Sequence, residues 1–346
     1  MTIIKFKYKE MKTIKIEGEF TYDDELFPEE DNDWFYNEIL LKENLELQKT
    51  VAIKQEMYPL KLCRIDTPKK GESESVAFAL ASDWHLEQEV RRDEIIYNNQ
   101  YNLEIAEARA KEFFTNTLDL IRRQQEDQVI KTLVLWLGGD FITSNIHTEL
   151  LKICKLGPAQ AICFARDLLI SGINFILENS ELNLIIPFNF GNHSRIVEKN
   201  WSSNEEDNSL EYILYDDITL HFKNNPRVVM VPPTGGTATI EVYGMKIGFV
   251  HGHREFKFKG GVGGLYVPVR SKIKDKFSPI GYDLIILGHF HSFIQDTLFL
   301  CNGSMIGYDQ YANCKGFRAE SPKQTFFVIS SKWKCRTATY PILFSK

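Results

Sequence analysis

The chain has 346 residues, 43% hydrophobic and 25% charged, with a formal net charge of −6 and a pI near 5.8. That length allows one large domain or two ordinary ones and supplies enough apolar side chains for a full core. The acidic balance excludes a protein that coats nucleic acid or membrane through bulk charge, while leaving room for a local basic surface. No uninterrupted apolar run approaches a membrane span. The start, MTIIKFKYKEMK, has neither an apolar core nor a small-residue cleavage site, so the chain reads as cytoplasmic, with Met11 an alternative start codon. Cys63, Cys154, Cys163, Cys301, Cys314 and Cys335 show no Cys-x-x-Cys spacing, which points to reduced thiols.

Residues 1 to about 65 differ in pattern from the rest. MKTIKIEGEF alternates like a strand. Residues 17–33 carry nine acidic side chains and no basic one, the pattern of a solvated face or loop. DWFYNEILLKENLELQKTVAI has the spacing of a helix, and IDTPKKGESES (65–75) reads as a linker. Residues 1–72 are therefore read as a small extension or module plus linker, offering a surface to a protein partner, and 73–346 as the main domain.

After Ser75, strand and helix patterns alternate. VAFALA (76–81) predicts a strand, 103–127 a helix, TLVLWL (132–137) a strand, and 159–179 a helix entered through Pro158. LNLIIPFNF (182–190) predicts a strand, 209–222 a helix, and KIGFV (246–250) and DLIIL (283–287) two more strands. Continuous apolar strands between amphipathic helices imply an α/β fold with sheets covered by helices.

Each of these five strands runs into polar residues of one chemical kind. The first is followed by SDWH with Asp83 and His85, the second by GGD with Asp140, the third by GNHSR with Asn192, His193 and Arg195. The fourth is followed by HGH with His251 and His253, and the fifth by GHFH with His289 and His291. Six of the eight histidines thus lie in four turns, where parallel strands would deliver them to one sheet edge. Carboxylate, imidazole and amide oxygen without thiolate suit Mn²⁺, Fe²⁺ or Zn²⁺ and argue against a structural zinc. Glycines at 138, 139, 191, 252 and 288 permit sharp turning beneath a crowded centre.

In order, DWH, GGD, GNH, HGH and GHFH resemble the calcineurin-like metallophosphoesterase superfamily over residues 76–310. GGDFITSNIHTEL, GNHSR and NGSMIGYDQYA are similar to its phage-type branch, loosely related to DNA repair exonucleases, which would suit a phage- or prophage-encoded protein. The resemblance implies two packed mixed β-sheets flanked by helices. It also implies two divalent ions, Mn²⁺ first, with Fe²⁺ or Zn²⁺ as alternatives. Asp83, His85, Asp140 and His291 would hold one, and Asp140, Asn192, His251 and His289 the other. A hydroxide bridging them would attack phosphorus in line, with His193 and Arg195 meeting the developing charge and His193 protonating the leaving oxygen. The chain departs from the pattern at DFITSN, which lacks a charge after Asp140, and at Ser194, where many relatives carry Asp or Glu. His147 can return to the site edge or stay at the surface, and His221 reads as structural.

Residues 254–276, REFKFKGGVGGLYVPVRSKIKDK, hold seven basic and two acidic side chains, four glycines, and Phe256, Phe258 and Tyr266 between them. This predicts a mobile loop whose charges and rings suit a nucleic-acid strand, with an ordinary charged insertion as the alternative. The expected substrate contacts are His253, Arg254, Lys257, Lys259, Tyr266 and Arg270. Three functions follow from these readings: a phosphodiesterase acting on DNA, a phosphomonoesterase or small-nucleotide phosphodiesterase, and an accessory subunit of a nucleic-acid-processing complex.

Overall fold

Alternation along one strand shows how the layers are made. In β2 (Glu74–Ala81), Val76, Phe78 and Leu80 face one way, and Ala77, Ala79 and Ala81 the other. The large side chains fill the space between two sheets, and the alanines give helices close access to the opposite face.

The computed structural model describes residues 62–69, 73–146, 148–197, 205–257 and 264–345. The chain divides into two units, Met1–Glu56 and Met57–Lys346, and the described residues all belong to the second. The strand, helix and acidic run expected before residue 57 lie outside them.

Among the described residues, twelve strands form two six-stranded mixed sheets. The first has the order β12 (Cys335–Leu343), β11 (Lys323–Ser330), β2, β3 (Val129–Leu137), β4 (Asn183–Pro187), β5 (Val228–Val231). The second has the order β1 (Cys63–Ile65), β6 (Ala238–Val242), β7 (Met245–Val250), β8 (Leu284–Leu287), β10 (Phe299–Cys301), β9 (Ile294–Gln295). β2 to β5 are mutually parallel, as are β7, β8 and β10. Phe78 and Phe327 stack with ring centroids 4.2 Å apart in the inter-sheet core, where Trp136, Phe249 and Ile286 are also buried.

Three helices, α1 (Leu103–Gln125), α2 (Pro158–Glu178) and α3 (Glu211–Phe222), cover the outer face of the first sheet. Asn102 caps α1 by accepting from the Ile105 amide at 2.9 Å. The second sheet is covered by α4 (Tyr266–Lys276), whose Val269 and Ile273 are buried against Val250 and Leu287. A short helix, α5 (Gln310–Lys315), precedes β11. The α/β arrangement of two packed mixed sheets flanked by helices is the one expected.

Several details differ from the sequence reading. Residues 254–276 are not wholly loop, because Val269 and Ile273 lie four apart and anchor a helix. Cys63–Ile65, read as part of the preceding extension and linker, pairs in parallel with β6. α2 is long and apolar enough by composition to cross a membrane, although Arg166 and Asp167 interrupt its apolar run. Its Ala161, Ala165, Leu169, Ile173 and Ile176 instead pack on the first sheet. All six cysteines are free.

Asn189, just past β4, ties the sheets together beneath the edge where the five turns lie. Its Oδ1 accepts from Trp136 Nε1 at 2.8 Å, and its Nδ2 donates to the carbonyls of Gly236 and Phe249, each at 2.9 Å. Asn189→Ala strands the buried Trp136 indole and Phe249 carbonyl and the half-buried Gly236 carbonyl, and is expected to cost about 2–3 kcal/mol, read as a lower urea midpoint at unchanged slope.

Candidate metal centre

The five turns meet across the sandwich. The His289 amide donates to Asp83 Oδ1 at 3.0 Å, and His251 Nδ1 donates to the Gly138 carbonyl at 2.7 Å, each joining a turn of one sheet to a turn of the other. Three sets of side chains each bring their ligand atoms within 4.8 Å of one another: Asp83, His85 and His291; His85, Asp140 and His193; Asp140, His251 and His289. Asp140 and His85 are shared between sets.

Hydrogen bonds fix which imidazole nitrogen faces inward. Thr143 Oγ1 donates to Gln88 Oε1 at 3.1 Å and so accepts from His85 Nδ1 at 3.0 Å. His193 Nδ1 donates to the Thr143 carbonyl at 3.0 Å. With the Gly138 bond to His251, three histidines have Nδ1 occupied and Nε2 presented. His85 Nε2 lies 3.2 Å from His291 Nε2, which is 3.5 Å from Asp83 Oδ1. His251 Nε2 lies 3.0 Å from Asp140 Oδ2. Asn192 Oδ1 is buried with no hydrogen-bond partner, an acceptor that a cation would satisfy. Two carboxylates, inward-facing imidazoles and an open amide oxygen fit divalent ions of the Mn²⁺, Fe²⁺ or Zn²⁺ kind.

The backbone is strained here. Asp83, His85, Asp140, His289 and His291 have φ of 57°, 49°, 53°, 67° and 50°, five of the eight described non-glycine residues in the left-handed region. Such a conformation costs about 1–3 kcal/mol per residue and persists only where surrounding bonds enforce it. The amides of Asp83 and Trp84 supply part of that restraint, donating to the carbonyls of Gly139 and Asp140 at 3.0 and 2.9 Å. Glycine at 191 is a matter of space: a Cβ there would lie 2.1 Å from Asp140 Oδ1.

Protonation follows from burial and crowding. Burial, then the neighbouring imidazoles, push His85 well below the ordinary histidine value and His289 down to about 3. Burial also lowers His193. Burial opposes the charged forms of Asp140 and His251, yet their mutual attraction outweighs it, holding Asp140 well below the carboxylate range and lifting His251 to about 10.

Of the expected substrate contacts, His253 stands beside the centre, its ring 5.3 and 6.1 Å from those of His251 and His289, and several of the others have partners of their own. Tyr266 and Arg270 both bind Asp296, whose buried carboxylate requires partners of its own. His253 Nε2 lies 2.7 Å from Glu205 Oε1, and Arg254 Nε lies 3.1 Å from Glu205 Oε2. Phe256 is a core residue, not an exposed stacking ring. Lys257 is exposed, whereas Lys259, Phe258 and His147 lie outside the described residues. His221 is exposed on α3. Arg195 Nη1 donates to the Asn192 carbonyl at 2.5 Å and braces that turn. His193, expected to face the phosphate and not to bind metal, has its ring nitrogen within 4.8 Å of ligand atoms of His85 and Asp140.

No protein-family profile and no curated protein matches this chain. Solved structures to which it is similar include a hypothetical protein from Pyrococcus horikoshii, 11% identical over 78% of this chain and 89% of that one, with a TM-score of 0.38. Vacuolar Protein Sorting 29 from Cryptosporidium parvum is 11% identical over 79% of this chain and 100% of that one, with a TM-score of 0.31. A predicted phosphoesterase from Streptococcus pneumoniae is 11% identical over 75% and 83%, with a TM-score of 0.27. Similarity of this degree leaves the chemistry to be read from the side chains.

Sequence reasoning missed the buried supports of the centre. Glu87 accepts from the amides of Thr143 and Ser144 at 2.8 and 2.6 Å. Gln324 Oε1 accepts from the Ser82 amide and Trp84 Nε1 at 3.0 and 3.2 Å. Neither sits in a recognisable pattern; only the fold brings them here.

Gly191→Ala is expected to abolish the rise in melting temperature that Mn²⁺ gives chelator-treated wild type, because the added methyl displaces Asp140. The stability of the chelator-treated protein is expected to fall on both sides of neutrality. His251, lifted from 6.5 to about 10, contributes stability that is complete below pH 6.5 and lost as pH rises toward 10. His289, depressed from 6.5 to about 3, contributes stability that is complete above pH 6.5 and lost as pH falls toward 3. Urea midpoints across pH check both limbs, and a midpoint that rises steadily through neutrality contradicts them.

Proposed function

We propose that this chain is a metal-dependent phosphoesterase of the calcineurin-like type, with a phosphodiester, DNA first, as its substrate. The observation that carries the reading is the convergence of five strand-end turns into ligand sets that share Asp140 and His85. Asp83, His85, Asp140 and His291 would hold one divalent ion, and Asp140, Asn192, His251 and His289 a second, Mn²⁺ being the first candidate. Such ions, when bound, neutralise phosphate oxygens and make water a competent nucleophile near neutral pH.

The remaining work falls to protein groups. His193, fixed through Nδ1 on the Thr143 carbonyl, offers Nε2 to the substrate. An anionic phosphate beside that nitrogen favours its protonated form, which can then protonate the leaving alkoxide. Arg195 holds the Asn192 turn through the backbone and adds positive potential near the site.

The DNA reading draws support from the exposed Lys257, Lys272 and Lys274, which follow the fourth turn. A small-ester reading is favoured by a different observation: Arg270 and Tyr266 are already engaged by Asp296, and Arg254 by Glu205.

A Mn²⁺-reconstituted assay on single- and double-stranded DNA, bis-p-nitrophenyl phosphate and p-nitrophenyl phosphate separates them. The expected result is shortening of DNA and hydrolysis of the diester, with His193→Ala slower by about 10²–10⁴-fold. Hydrolysis of small esters alone transfers the protein to the second reading. Metal binding with turnover of no ester would make it an accessory protein.

A further inference from the structure

Glu211 opens α3 and is completely buried, although nothing in the ligand pattern calls for it. Its two carboxylate oxygens are divided between two turns. Oε1 accepts from the Phe141 amide at 2.9 Å, immediately after Asp140. Oε2 accepts from the Gly191 amide at 2.7 Å, immediately before Asn192, and from Ser194 Oγ at 3.2 Å. Ser194 is buried as well, and its hydroxyl lies 2.7 Å from Ser209 Oγ.

The two turns fastened in this way already press on each other. The His193 amide donates to Asp140 Oδ1 at 2.8 Å, and Gly191 lies too close to Asp140 to carry a side chain. Asp140 is itself in the left-handed region and depends on its neighbours to stay there. One carboxylate therefore sets the spacing between Asp140 and Asn192. Asp83, His85 and His291 are held by other groups: the Ser82 hydroxyl and the His289 amide on Asp83, and Thr143 on His85.

We propose that Glu211 is a positioning residue for the ion site of Asp140, Asn192, His251 and His289, acting through the Phe141 and Gly191 amides, and that the site of Asp83, His85, Asp140 and His291 feels it only through the shared Asp140. This rests on the two-ion reading above. A glutamine in its place has the same shape but one acceptor oxygen, and its NH₂ would confront an amide N–H. One of the two turns is then released.

The test uses the full chain, stripped with chelator and titrated with Mn²⁺, followed by calorimetry and by electron paramagnetic resonance, which distinguishes coupled Mn²⁺ pairs from single ions. Asn192→Ala marks loss of the second ion and Asp83→Ala loss of the first. Wild type is expected to take up a coupled pair. Glu211→Gln is expected to resemble Asn192→Ala, with the second ion weakened by about 10–100-fold and the first, which shares Asp140, weakened less. An unchanged pair in Glu211→Gln overturns the proposal, and so does equal weakening of both ions. If Glu211→Gln fails to fold by circular dichroism, Ser194→Ala decides, with several-fold weakening of the second ion expected and no change overturning it. A wild type that takes up no pair overturns this proposal and the two-ion reading together, whereas a pair that survives Glu211→Gln overturns this proposal alone.

Discussion

Asp140 commits its polar atoms in several directions at once. Its carbonyl accepts from the Trp84 and His85 amides at 2.9 and 3.1 Å. One carboxylate oxygen accepts from the His193 amide, and the other faces His251 Nε2. The residue, itself in the second turn, thus joins the first by its backbone and the third and fourth by its side chain. Its left-handed backbone makes this reach geometrically available, and the glycines at 139 and 191 make room for it. A bond broken at any of these contacts is felt at all the others, because the group is buried and no water can replace the missing partner.

The sandwich architecture explains why such a hub is affordable. β2, β3 and β4 lie side by side and in parallel, so their ends reach one edge in register. β7 and β8 do the same in the opposite sheet. The two edges are held together by contacts below the centre, with Asn189 reaching the Phe249 carbonyl and Asn302 Nδ2 donating to the Leu80 carbonyl at 3.3 Å. The turns therefore rest on a rigid floor, and the polar groups above it are positioned by the sheets and not by one another alone.

Much of this was legible in the sequence, and the limits have physical causes. The apolar runs VAFALA and TLVLWL fall inside β2 and β3, whereas β11 and β12, eight and nine residues long, are not among the expected strands. β5, β9 and β10 are four residues or fewer, too short for periodicity to register. The ligand types stood out because histidine is scarce and clustered. The supports did not: Glu211 and Gln324 are ordinary polar residues whose importance comes from being buried, which sequence does not display. The basic stretch was legible only in part for a related reason. Its charge count is real, but Asp296 lies 26 residues beyond Arg270 and neutralises it in space, where a local tally cannot see it.

The five left-handed residues of the centre carry a consequence for this fold. Glycine occupies that conformation without steric cost, so replacing any of them by glycine would relieve strain in the metal-free chain. At His289 and His291 that relief works against the ligand, whereas Asp83, His85 and Asp140 offset it with side-chain hydrogen bonds of their own. Histidine at 289 and 291 is thus held against the backbone's own conformational preference, while the other three side chains help to bind the turns that strain them.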